Sequence, residues 1–121
     1  MINKLAKEIH QNAKDKGFFE NERNLGEILC LIHSEVSEAL EADREHKYCN
    51  TDVKSLLKIN NDSDFQKSFE EHVKNTFEDE LSDIIIRVLD LASYKNINLE
   101  AHIQAKMRYN STRVNKHGKK Y

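Results

Sequence analysis

At 121 residues, with 38% apolar and 33% charged side chains, the chain is long enough for one modest core and too polar for a membrane protein. A formal net charge of −2 excludes an overall electrostatic trap for nucleic acid, and no apolar run is long enough to span a bilayer. Three glycines and no proline leave almost no helix punctuation, so the expected class is all-α. The opening Met1-Ile2-Asn3-Lys4 lacks the apolar stretch of a secretory signal, and a cytoplasmic protein is expected.

In the first segment Ile2, Leu5, Ala6, Ile9 and Ala13 recur at helical spacing, and Gly17 supplies a stop. Phe18 and Phe19 follow, placed either to fold back onto the core or to line a base pocket. A second helix is predicted from about Asn24 to about Glu45, with Leu25, Ile28, Leu29, Ile32, Val36, Ala39 and Leu40 as its apolar stripe. Cys30 falls in this run and reads as a small core residue, and neither it nor Cys49 has metal-ligand spacing. From His46 to about Asp62 the chain is polar and rich in asparagine, and Leu56, Leu57 and Ile59 suggest one helical turn within a loop.

Ser63 followed by Gln66 resembles a capping box and predicts a helix start there. Phe65, Phe69, Val73, Phe77, Leu81, Ile84, Ile85, Val88, Leu91 and Ala92 then keep helical spacing, with Thr76 as a candidate cap if this stretch is two helices. The last helix is expected to start at Asn98 and to carry Leu99, Ile103 and Met107 inward. Lys106, Arg108, Arg113, Lys116, Lys119 and Lys120 crowd the C-terminus as a basic ending, and the tail begins at about residue 111.

Two helices break the rule that acids stay off the apolar face. With about 3.6 residues per turn, Glu35 falls inside the stripe of Ile28, Ile32 and Ala39, and Glu38 lies on its edge. Glu80 likewise lies beside Phe77, Leu81 and Ile84, with Asp83 on the same flank. Each helix offers two carboxylates three residues apart. Burying such charges requires a basic partner, a raised pKa or a cation. Arg87, one turn beyond Asp83, can pair with one acid but not with four. Oxygen-only ligands suit Mg²⁺ or Mn²⁺ and not zinc. As a pattern the pairs fit either a hard-cation site or ordinary surface acids.

The run Leu31–Glu41 (Leu-Ile-His-Ser-Glu-Val-Ser-Glu-Ala-Leu-Glu) resembles the first motif of the MazG-like, all-α nucleoside triphosphate pyrophosphohydrolases. Phe77–Ile85 (Phe-Glu-Asp-Glu-Leu-Ser-Asp-Ile-Ile) is similar to their second motif. Lys106–Arg113 and His117–Tyr121 resemble their C-terminal Lys…Asn…Arg stretch and its basic ending. The likeness spans roughly Arg23 to Tyr121, with the motifs in order. The segment from His46 to Lys74 fits no motif of that family.

The resemblance implies a single helical domain over 1–121, a four- to five-helix bundle assembling as a homodimer or homotetramer. It implies cleavage of nucleoside triphosphates, often deoxy or non-standard, between the α and β phosphates, as in nucleotide-pool house-cleaning. Carried over by position, Glu35, Glu38, Glu80 and Asp83 become the catalytic metal ligands for Mg²⁺, with Mn²⁺ as the alternative ion. Glu38 is the favoured general base, although sequence does not separate it from Glu35. Lys106, Asn110 and Arg113, four and three residues apart, become phosphate or sugar contacts or else a solvated basic helix end.

Two other classes compete. A di-iron carboxylate bundle needs Glu-x-x-His ligands, and the chain has none. A non-catalytic helical module, binding nucleotide or a protein partner, accounts for the basic ending but not for Glu35 within the stripe. His33 is expected to point away from Glu35, and Tyr109 and Tyr121 either stack on a base or simply pack.

Overall fold

With so little glycine and no proline, helix ends must be made by other side chains, and they are. The structure, a computed structural model, describes residues 1–19 and 21–113. Among these residues it contains six helices and no strand: α1 (Ile2–Asp15), α2 (Leu25–Arg44), α3 (Val53–Leu56), α4 (Asp62–His72), α5 (Phe77–Tyr94) and α6 (Leu99–Ser111). The all-α expectation holds. Two more elements than the minimal bundle arise because the stretch after α2 forms a short helix and because α4 and α5 are separate.

Every start except that of α1, which begins after Met1, is capped by a polar side chain. Asn24, Asp52, Asn61 and Asn98 accept from the backbone N–H of Glu27, Lys54, Asp64 and Ala101. Asn61, not Ser63, begins α4, because Asn61 Oδ1 takes the Asp64 N–H at 3.0 Å. Thr76 separates α4 from α5: its Oγ1 accepts from the Asp79 N–H at 3.3 Å, and the Asp79 carboxylate accepts from the Asn75 N–H at 2.9 Å.

The ends of α1, α2 and α5 close with Schellman pairs, such as Phe18 N–H to Ala13 C=O with Gly17 N–H to Lys14 C=O. Gly17 takes the required positive φ of 84° in α1, but His46 at 57° and Asn96 at 55° take it in α2 and α5.

The chain divides into two compact units, one of residues Met1–Asn21 with the chain from Leu89 onward, the other of Glu22–Val88. In the first, α1 packs against α6, and Ala6, Leu89 and Ala92 are buried. The Ile2 N–H donates to Glu100 Oε1 at 2.6 Å and the Asn3 side chain to Asn98 Oδ1 at 2.7 Å. His10 Nδ1–H donates to Asp90 Oδ1 at 2.8 Å, and the His10 ring meets Phe19 edge-on at 4.6 Å. Phe18 and Met107, by contrast, are exposed. Of the residues expected inward on α6, Leu99 and Ile103 are partly covered, whereas Met107, a turn further on, faces solvent.

In the second unit Ile28, Ala39, Ala42, Leu56 and Val73 are buried, and α3 packs on α4. Tyr48 stacks on Phe77 at 5.3 Å and also hydrogen-bonds Asp43. The loop after α2 is fixed to the start of α5: Phe77 N–H donates to Lys47 C=O at 2.8 Å, and Cys49 N–H to Glu78 Oε2 at 2.7 Å. Cys30 is exposed, not core, because α2 buries the side carrying Ile28, Glu35, Ala39 and Ala42 and leaves Leu25, Leu29, Val36 and Leu40 outward. Among the described residues, no helix is long and apolar enough to cross a membrane.

Candidate metal centre

The buried face of α2 carries one acid among apolar side chains. Ile28 precedes Glu35 on this face, and Ala39 and Ala42 follow it one and two turns later. Glu35 is 8% exposed and Glu80, on α5, is 6% exposed. Glu38 is exposed on the edge of α2, and Asp83 is half-buried. Glu78, Asp79 and Glu80 all occupy the first turn of α5, where the helix dipole favours negative charge.

One carboxylate oxygen from each of Glu35, Glu38 and Glu80 lies within 4.8 Å of the other two. Arg87 Nε donates to Glu35 Oε1 at 2.8 Å, the pairing its position one turn beyond Asp83 allowed. The remaining oxygen, Glu35 Oε2, is buried and has no hydrogen-bond partner, and the same is true of Glu80 Oε2. A buried polar atom without a partner costs on the order of 1–3 kcal/mol, and more when charged.

Electrostatics push in the same direction. The Glu80 carboxyl is pushed up to about 7, first by burial, then by its hydrogen bond to Glu38 and by the charges of Glu38, Asp83 and Asp79. Burial also raises Asp83, together with the charges of Asp79, Glu35 and Glu38, and Arg87 only partly opposes this. Near neutrality the cluster is therefore short of positive charge. A proton held between Glu38 and Glu80 relieves it, and so does a hard divalent cation on the same oxygens.

Of the four acids singled out by sequence, Glu35, Glu38 and Glu80 meet oxygen to oxygen, and Asp83 stands beside them as an electrostatic neighbour. Asp79 was not singled out, although it raises both Glu80 and Asp83. Its place in a Thr-x-x-Asp cap disguised it as a purely structural acid.

Lys106, Asn110 and Arg113 belong to the first unit and are exposed. Lys106 and Asn110 lie on α6, and Arg113 lies two residues past its end. The Lys106 ammonium and the Arg113 guanidinium both lie over the Tyr109 ring, 5.0 and 5.2 Å from its centroid. His33 is exposed on α2. Lys116, His117, Lys119, Lys120 and Tyr121 lie outside the described residues.

No family model, curated protein or solved structure matches the chain.

Proposed function

We propose that the chain is an Mg²⁺-dependent nucleoside triphosphate pyrophosphohydrolase, a MazG-like helical bundle that releases a nucleoside monophosphate and pyrophosphate. The observation that carries this reading is the pair of buried, unpartnered oxygens, Glu35 Oε2 and Glu80 Oε2, beside Glu38. An all-oxygen donor set of this kind fits Mg²⁺ or Mn²⁺, with Glu35, Glu38 and Glu80 holding the ion and Asp83 completing the acidic wall. Bound there, Mg²⁺ supplies charge neutralisation for the phosphate chain and a lowered pKa for a coordinated water.

The chain's own residues divide the remaining work. Arg87 holds Glu35 Oε1, and Glu35 Oε2 stays buried without a partner. Glu80 holds or releases a proton close to neutral pH. Glu38 is exposed and unpaired by any cation among the described residues, so it is the carboxylate with access to a nucleophilic water and is assigned as general base. Lys106, Asn110 and Arg113 are proposed as phosphate or sugar contacts on the sequence resemblance alone.

The same reading includes a homo-oligomer. Leu29 is 45%, Val36 48% and Leu40 51% exposed, and with Leu25 they form one apolar stripe along α2. The two units bury few large side chains of their own, so a second copy covering this stripe supplies core that the protomer lacks. A non-catalytic interaction module would also use this stripe, yet would leave Glu35 Oε2 and Glu80 Oε2 without a purpose.

The test is incubation with ribo- and deoxynucleoside triphosphates, with and without Mg²⁺, resolving the products. Monophosphate and pyrophosphate, abolished by EDTA, are the expected result. Diphosphate with orthophosphate, or no turnover of any triphosphate, contradicts the reading.

A further inference from the structure

α4 is an eleven-residue helix that buries none of its own side chains, yet it carries two phenylalanines one turn apart. The Phe65 and Phe69 rings are half-buried, with centroids 6.0 Å apart and planes at 35°. They form one wall of a cleft of about 420 Å³ whose other sides include Lys74, Asn75, Asp79 and Asp83. That volume falls within the range of small-molecule sites, and the lining sets one aromatic wall against polar and charged side chains.

The cleft borders the acid cluster. Asp83 lines it, and the charges of Glu35 and Glu38 are felt at the Asp83 carboxyl. Asn75 lines it too, and Asn75 also lines a second hollow of about 260 Å³ that contains Glu38 and Glu80. Asn75 thus marks the place where an aromatic cleft and an acidic hollow adjoin. Its backbone is left-handed, at φ 66°, a conformation asparagine tolerates better than most side chains. Its N–H is spent on Asp79, and among the described residues its side-chain amide makes no hydrogen bond. Gln66 and Glu70, the other polar groups of α4 at the cleft, are bonded to each other at 3.3 Å.

We propose that this cleft holds the base of the nucleotide, with Phe65 and Phe69 stacking on its face and the Asn75 amide hydrogen-bonding its edge. The inference rests on the reading of the acids as a cation and phosphate site. It gives the segment 46–74, which matches none of the motifs, a role as the base-contact element. Stacking on an aromatic ring is tolerant of base identity, whereas a side-chain amide reads the polar edge, so Phe65 and Phe69 set affinity and Asn75 sets preference.

The test measures binding of α,β-methylene nucleoside triphosphates of the common bases, and of inorganic tripolyphosphate, to the full chain in Mg²⁺. The wild type, Phe65→Leu with Phe69→Leu, Asn75→Gly and Glu80→Gln are compared, the leucines keeping apolar volume while removing the π faces. The double leucine variant is expected to bind nucleotides about tenfold more weakly, with tripolyphosphate affinity unchanged. Asn75→Gly is expected to flatten differences between bases. Nucleotide affinity unchanged in the double leucine variant overturns the base cleft, and if Glu80→Gln still abolishes tripolyphosphate binding, the cation reading survives alone. Loss of nucleotide binding in the leucine variant, with Glu80→Gln and Mg²⁺ both without effect, supports the cleft and overturns the cation reading. Should the leucine variant fail to fold, a 2-aminopurine nucleotide on the wild type decides: quenched emission on binding supports stacking, and unchanged emission overturns it.

Discussion

The exposed Glu38 on α2 and the buried Glu80 on α5 bring carboxylate oxygens within 4.8 Å of each other, two acids facing where an ion pair is the usual solution. Two acids at such range cannot both ionise freely, so one proton is retained near neutral pH. The pair is stable with that proton or with a cation, and not with neither.

A pH dependence follows. Glu80 titrates at about 7 in the folded chain against an ordinary 4.5, so the folded state binds the proton more tightly than the unfolded one. Its stabilising contribution is fully present below about pH 4.5 and is lost as pH rises through 7. In EDTA the melting temperature is expected to fall between pH 5 and 8, for an overall loss of roughly 2–3 kcal/mol. Glu80→Gln removes most of this slope, and so does millimolar Mg²⁺. A flat EDTA profile in the wild type counts against the shared proton.

Arg87→Met removes the partner of Glu35 Oε1 and leaves a buried carboxylate unpaired. Because Arg87 is itself partly solvated, the cost is expected near 2 kcal/mol, below the range for fully buried pairs. The double variant Glu35→Gln with Arg87→Met is expected to be more stable than Arg87→Met alone. Denaturant titration of the variants in EDTA checks the order.

Leu40→Glu, on the exposed stripe of α2, is expected to turn an oligomer into a monomer with little change in helix content. Light scattering coupled to size exclusion reads this directly. A wild type that is already monomeric at micromolar concentration removes the second copy from the account.

His46 closes α2 in the left-handed region at φ 57°, where a side chain is strained and glycine is not. His46→Gly is expected to stabilise the chain by about 0.5–1 kcal/mol, raising the melting temperature by a few degrees.

Much of this arrangement was legible from spacing. Asn98 as a cap, Gly17 as a stop and Glu35 within the apolar stripe follow from local chemistry and helical period, and the structure has all three. The end of α2 near Glu45 was legible, but the left-handed stop at Asn75 that divides α4 from α5 was not, because asparagine also occurs inside helices. Periodicity showed that α2 has an apolar stripe but not which edge of it is covered. Hence Cys30, Leu29 and Val36 were placed inside and are exposed. The cleft beside Phe65 and Phe69 depends on how α4 meets the start of α5, and no local pattern encodes that meeting.

The central claim is that Glu35, Glu38 and Glu80 hold one divalent cation, and Mn²⁺ binding followed by electron paramagnetic resonance tests it most directly. The wild type is expected to bind Mn²⁺ competitively with Mg²⁺, releasing protons near pH 7, and Glu80→Gln to bind it at least about tenfold more weakly. Equal Mn²⁺ affinity in the wild type and in Glu80→Gln would contradict the assignment.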